Sequence, residues 1–222
     1  MAYYFCTGTG GGGGGGAIVT FTPKLVFEES GISSLAWRDT GDTTSMGVTS
    51  GTYTATAGEK ITVNSSNNLC MYMPIDNSYF LFGIRCKIDS NFTPRNSNNW
   101  YECSCILGQE LGGQQRDCAI IIDKNGYFAL GTGNSDVNST TVSALDGQEH
   151  ELMMLVEADN IQLYIDGVLQ KKVNLAMAGG QMIQIGVFWN KSSNITRVDG
   201  EIYAVGYWTE IVPTMTYSLP TL

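Results

Sequence analysis

The most regular signal along the chain is a two-residue alternation of apolar and polar positions. In the run 79–88, Phe80, Phe82, Ile84, Cys86 and Ile88 fall on one side, with Arg85 and Lys87 on the other. A period of two sends successive side chains to opposite faces of a β-strand. Runs of this kind predict strands at 60–64, 69–73, 79–88, 100–107, 118–123, 127–131, 149–157, 160–165, 168–172, 181–188 and 200–209. Cys103 and Cys105 are expected to share a face with Tyr101 and Leu107, and Ile161, Leu163 and Ile165 to point inward. Turn residues separate the runs: Asp123-Lys124-Asn125-Gly126, Glu157-Ala158-Asp159-Asn160 and Asp166-Gly167. Asp-Gly between two alternating runs marks a two-residue hairpin. The 3.6-residue period of a helix is missing, apart from a short helical turn expected near 176–179. Many short antiparallel strands with an in/out pattern predict an all-β sandwich.

The first sixty residues follow another pattern. Seven consecutive glycines, Gly10 to Gly16, stand behind the short segment Met1-Ala2-Tyr3-Tyr4-Phe5-Cys6. Glycine loses more entropy on ordering than any other residue, so such a run is a flexible tether unless something holds it. The aromatic cap Tyr3, Tyr4 and Phe5 is therefore expected to anchor an extended glycine-rich arm on a partner or a sister chain. Residues 17–22 carry a strand signal broken at Pro23, which resumes over 24–27. Short strands are expected around 46–48 and 52–56. The chain then divides into an arm and tether (1–16), a short β-subregion or connector (17–60), the main domain (61–212) and a tail (213–222).

Composition narrows the partners. Charged residues make up 15% of the chain and the formal net charge is −9. With no basic cluster, neither a nucleic-acid backbone nor an anionic membrane surface is a suitable partner. No stretch reaches the length of a membrane-spanning helix. Residues 1–16 lack the basic and apolar regions of a secretory signal, so synthesis in a cytoplasm is expected. The six cysteines sit largely in strand positions and read as small buried hydrophobes with reduced thiols. Were they paired, about 15 connectivities would be open. Zinc finds little support, since there is no C-x-x-C motif and the single histidine is His150.

The order of motifs is similar to the concanavalin A-like jelly roll, in its laminin-G-like branch. The strand 79–87 is followed by Ile106-Leu107-Gly108, by 118–126, and by Leu145-Asp146-Gly147-Gln148-Glu149-His150. After these come Ile161-Gln162-Leu163-Tyr164-Ile165-Asp166-Gly167-Val168, Ile183-Gln184-Ile185-Gly186 and Val198-Asp199-Gly200-Glu201-Ile202-Tyr203. The tryptophan that usually precedes the histidine is Glu149 here. The resemblance covers 61–210 and implies a fold, because its motifs are turn and core residues. It implies a structural His150, which removes the base that a Ser or Cys nucleophile would need.

Three kinds of chemistry have candidates. A glycoside hydrolase of this fold needs two facing carboxylates, but the E-x-D-x-E string of laminarinase-type enzymes does not occur. Glu149 and Glu151 share a strand face that reads as solvated. Calcium would find alternating oxygens at Asn134, Asp136 and Asn138, in a segment read as a turn-rich loop lacking the Gly and Glu of an EF-hand. No other cofactor is implied. Sugar binding needs an aromatic platform beside amides or carboxylates. Trp100 with Asn98 and Asn99, and Trp189 with Asn190 and Asn194, meet that description. Alternatively, both tryptophans cap the core. The resulting expectation is a non-enzymatic bacteriophage virion component: a capsid decoration, head-fibre or tail-fibre protein. Its arm would dock on virion proteins or sister chains in a homo-oligomer, and its lectin-like domain would meet cell-surface glycans. A cell-surface lectin module is the alternative, and a glycoside hydrolase comes third.

Overall fold

The fold is described from a computed structural model. Main chain and side chains are described for 81–108, 118–133, 135–175 and 198–203, and elsewhere the strands alone are described. In chain order the strands are β1 (Tyr3–Tyr4), β2 (Thr20–Phe21), β3 (Leu25–Glu29), β4 (Leu35–Asp39), β5 (Gly47–Val48), β6 (Thr54–Thr56) and β7 (Lys60–Val63). They continue with β8 (Met71–Ile75), β9 (Phe80–Ile88), β10 (Ser104–Gln109), β11 (Cys118–Ile122), β12 (Tyr127–Thr132), β13 (Asp136–Ser143) and β14 (Glu149–Val156). The last are β15 (Ile161–Ile165), β16 (Val168–Val173), β17 (Gln181–Ile185), β18 (Val187–Trp189), β19 (Ile195–Arg197), β20 (Gly200–Trp208) and β21 (Thr216–Tyr217). One 3₁₀ turn, Trp100–Glu102, is the only helix among the described residues. The helical turn expected at 176–179 lies outside them.

Two antiparallel sheets form the body. One runs β13-β12-β11-β10-β17-β8-β5, the other β16-β15-β14-β9-β20-β3-β4, with β7 also on β20 and β6 on β7. The stretch 17–60, expected as a subregion or connector, thus supplies strands to both sheets. Tyr3 and Tyr4 of the arm pair with Tyr217 and Thr216 of the same chain. Phe5, Gly10 and Gly16 lie outside the described residues.

The core fills the space between the sheets, and alternation explains who enters it. Phe82, Ile84, Cys86 and Ile88 of β9 meet Leu152, Met154, Val156, Ile161, Leu163 and Ile165 on their own sheet, and Ile120, Ile122, Phe128 and Leu130 from the facing one. Cys86, Cys103, Cys105 and Cys118 are buried thiols. Burial pushes the Cys86 thiol up to about 12, which keeps it protonated and inert.

One expectation of facing fails in an instructive way. Cys103 and Cys105 face outward, away from this core, while Leu107 is inside it. The pairing of β10 with β11 jumps from Cys105↔Ile121 to Leu107↔Ile120. A bulge at Ile106 adds one residue and switches the strand's faces. Leu107 can then join the core while the cysteines stay on the other side.

The Asp166-Gly167 hairpin forms as expected, with Ile165 opposite Val168. Asp166 and Gly167 have φ of 50° and 79°, the left-handed pair that a type I′ turn requires. The Asp166 carboxylate accepts the Glu151 amide (2.9 Å) and lies 2.7 Å from His150 Nδ1. His150 Nε2 is 3.2 Å from Asp146 Oδ2, so a single buried imidazole links two Asp-Gly turns. Its ring also meets Phe128 edge-on at 5.3 Å.

Glu149 and Glu151 do not form a solvated face. Glu151 is 4% exposed and its Oε2 accepts Arg85 Nη2 at 3.2 Å, while Arg85 Nε reaches the half-exposed Glu149 at 3.4 Å. Glu151 Oε1 has no hydrogen-bond partner. Strand pairing places Glu151 opposite Arg85, and burial raises its carboxyl above the ordinary value, only partly offset by that arginine. A carboxylate raised by folding favours the fold at low pH, and that contribution is lost as pH rises through the raised value. Glu151→Gln is neutral throughout and should therefore gain on the wild type as pH rises. The Tm difference, variant minus wild type, is expected to be larger near about pH 7 than near about pH 4; a difference that shrinks would contradict the burial argument.

Candidate functional site

The outward face of the seven-stranded sheet carries a second apolar cluster: Trp100, Cys103, Cys105, Ala119, Ile121 and Ala129. The segment joining β9 to β10 folds across this face and is held there by Trp100. The indole is 2% exposed and donates from Nε1 to the Gly133 carbonyl at 2.8 Å. Its Cβ sits over Gly131, where an added Cβ would come within 2.6 Å of it. Only a glycine allows so close an approach. Hydrogen bonds within the segment fix its shape. Glu102 accepts from Ser97 Oγ (2.7 Å) and Asn99 Nδ2 (3.4 Å). The Cys103 thiol donates to the Asn99 carbonyl at 3.4 Å. Burial, reinforced by Asp123 and Glu102, raises that thiol to about 11, which preserves the proton it donates.

These facts correct the reading of Trp100 as a sugar platform. It opens a 3₁₀ turn instead of ending a strand, and neither face of its ring is open for stacking. Asn99 caps that turn and directs its amide at Glu102. Asn98 remains exposed, with its Oδ1 accepting Lys124 Nζ at 2.8 Å.

Beside the pinned segment lies a polar cavity of about 370 Å³. Ser97 and Asn98 line it from the crossing segment, Asp123, Lys124 and Asn125 from the β11–β12 turn, and Ser135, Asp136, Val137 and Ser139 from the start of β13. Asp123, 3% exposed, is committed to structure. It accepts the amides of Asn125 (2.8 Å) and Tyr127 (3.0 Å) and the Ser139 hydroxyl (2.5 Å). These three bonds hold the turn so that Lys124 and Asn125 project beside the cavity. Lys124, Asn125 and Asp136 are exposed.

The calcium candidates are dispersed by the same strand. Residues 136–143 form β13, not a turn-rich loop. The Asn138 amide turns to β12, donating to the Leu130 carbonyl (2.9 Å) and Thr132 Oγ1 (3.1 Å). Asp136 opens to the cavity instead, and Asn134 lies outside the described residues. Trp189 ends β18 opposite Ile195; its side chain, Asn190 and Asn194 lie outside the described residues.

Of the expected sugar-binding residues, the cavity therefore gathers Asn98 and excludes the Trp100 ring. It adds Lys124, Asn125 and Ser135, which sequence reasoning assigned only to a turn and a loop. The signal present was two polar stretches rich in Asn, Asp and Ser; nothing in their spacing showed that they converge.

No family model matches the chain, and no curated protein matches it by sequence. By structure it is similar to a Trypanosoma rangeli sialidase in complex with 2,3-difluorosialic acid, with TM-score 0.65 and 16% identity over 96% of this chain. The chain spans 35% of the length of that sialidase. It is also similar to domain 4 of AbnA, a GH43 extracellular arabinanase from Geobacillus stearothermophilus in complex with arabinotriose. There the TM-score is 0.55 at 13% identity, covering 76% of this chain and 84% of that one. The botulinum neurotoxin serotype G binding domain is a third, with TM-score 0.52, 12% identity, and coverage of 87% and 49%. At these identities the likeness concerns the fold.

The packing of Trp100 makes a stability prediction. Trp100→Ala removes a buried indole and leaves Gly133 without its donor, and should cost about 3–5 kcal/mol. Gly131→Ala forces a Cβ into Trp100 and should destabilise by about 1–3 kcal/mol. Urea unfolding measures both; a loss below about 1 kcal/mol for Trp100→Ala would show that the segment is held by something else.

Proposed function

We propose that this chain is a non-enzymatic, lectin-like module that binds carbohydrate in the cavity between the crossing segment, the β11–β12 turn and the start of β13. The observation that carries the reading is the convergence of side-chain amide, hydroxyl, ammonium and carboxylate groups on one open cavity of about 370 Å³. Sugar hydroxyls both donate and accept, so a mixed donor and acceptor lining suits them. Asp136 and Asn98 supply acceptors, Lys124 and Asn125 donors, and Asp123 the rigidity. The fold likeness to a sialidase and to an arabinanase domain in complex with arabinotriose supports a carbohydrate ligand.

The finer reading is a concanavalin A-like, laminin-G-like jelly roll displayed on a bacteriophage virion. Its supports are the order of sequence motifs and the glycine tract behind an aromatic cap. In this reading the N-terminal arm meets other virion proteins or sister chains, and the module faces host glycans.

Two measurements test these proposals. On a glycan array that includes arabinotriose, the wild type should bind at least one sugar. Asp136→Asn and Asn98→Ala should each weaken it by about 1–2 kcal/mol, about five- to thirtyfold, the scale of a lost polar contact. Unchanged binding in both variants removes this cavity from consideration. For the arm, a photo-crosslinker at Phe5 in assembled particles should capture a sister chain or another virion protein. Adducts confined to the same chain would reject the anchor.

A further inference from the structure

The cavity, read as a sugar site, lacks the aromatic surface on which an apolar sugar face rests, because Trp100 is buried. A different aromatic, outside the cavity's lining itself, opens the strand that follows the turn lining it. Tyr127 is 40% exposed and is the one aromatic side chain among the described residues that counts as exposed. It faces Asp123 across the β11–β12 turn. The Asp123 amide donates to the Tyr127 carbonyl at 2.9 Å, and the Tyr127 amide donates to Asp123 Oδ1 at 3.0 Å.

Strand alternation settles the side of the sheet. The pairs Ile121↔Ala129 and Ile122↔Phe128 continue to Asp123 and Tyr127, so although the register with β13 shifts between Tyr127 and Ala129, Tyr127, Ala129 and Gly131 occupy one face of β12. Ala129 belongs to the outward cluster, and Gly131 lies beneath Trp100. Ala129 pairs with Ser139, a wall of the cavity. The phenol of Tyr127 therefore rises from the cavity's face of the sheet, next to the turn that carries Lys124 and Asn125. Its neighbours in β12 are buried, so this ring at the start of the strand is the exposed position of β12.

We infer that Tyr127 is the stacking platform of the site and that its ligand is a neutral, hydroxyl-rich sugar ring presenting a C–H face. The inference rests on the cavity being the sugar site. Neutrality follows from the charges around it: two carboxylates, Asp123 and Asp136, against one ammonium, Lys124, which is already bound to Asn98. A sugar carboxylate would meet net repulsion, whereas hydroxyls find partners of both kinds. Tyrosine suits the role because it offers a rigid ring at small conformational cost.

The test uses the full chain and a panel of maltotriose, cellotriose, xylotriose, arabinotriose and tri-galacturonic acid, titrated by calorimetry. A neutral member should bind the wild type more tightly than tri-galacturonic acid does. Tyr127→Ala should weaken that binding about tenfold, in the range of an aromatic contact, while Tyr127→Phe stays within about threefold. Thermal melts should coincide for the wild type and Tyr127→Phe, and Tyr127→Ala should still unfold in one cooperative transition, since the ring, 40% exposed, is only partly packed. If Asp136→Asn weakens binding but Tyr127→Ala does not, the platform is overturned and the cavity stands. Tighter binding of tri-galacturonic acid overturns the neutral assignment. If no panel member binds the wild type, the cavity reading falls, and this inference with it.

Discussion

The indole of Trp100 pressed on Gly131 and bonded to the Gly133 carbonyl is the contact on which the candidate site depends. A β-sheet face that is apolar must be covered, and here the cover is the segment between β9 and β10 rather than another sheet. The bulge at Ile106 makes this possible. Residues before it turn Cys103 and Cys105 outward to join the tryptophan, and those after it turn Leu107 into the core. With the segment pinned, Ser97 and Asn98 hang at a set distance from the β11–β12 turn. The cavity is the gap that remains.

Three acidic side chains, Asp123 and Glu151 buried and Asp166 half-exposed, divide the electrostatic work. Asp123 ends three hydrogen bonds and stiffens the turn. Asp166 receives a backbone amide and holds His150, which reaches Asp146 in turn. Glu151 faces Arg85 with one oxygen left without a partner. A buried carboxylate is tolerated when its oxygens are occupied and costly when one is not. The first two therefore act as fasteners for turns, and Glu151 is the one that burial disturbs. The exposed groups that line the cavity, Asp136, Lys124, Asn125 and Asn98, take no part in this work.

Much of the strand inventory was legible because period-two alternation is a local property. The runs around β9, β14, β15 and β16 declare both their extent and their inner faces, and Asp166-Gly167 declares its turn type. His150 was legible as structural for a related reason, since it follows an Asp-Gly turn in a strand. Three things were not. The segment 136–143 reads as a polar loop, because its β-structure comes from pairing with β12 and not from its own residues. The facing of Leu107 depends on a single inserted residue, which alternation counts wrongly. Glu151 reads as solvated, since its pattern of neighbours in sequence does not reveal that both faces of β14 are buried.

By itself the sequence determined that the described residues are all-β, where most of their strands lie, and that Cys86, Cys103 and Cys105 are buried. Each of these follows from residue type and spacing over a few positions. Only the tertiary structure decided that Trp100 closes inward while Tyr127 stays outside, and that Asn98, Lys124 and Asp136 meet around one cavity. Those outcomes depend on a glycine from one strand, a carbonyl from the next turn and a segment between two sheets. Contacts between residues far apart along the chain leave no periodic trace in the sequence, because what selects them is the space left over once the strands have packed.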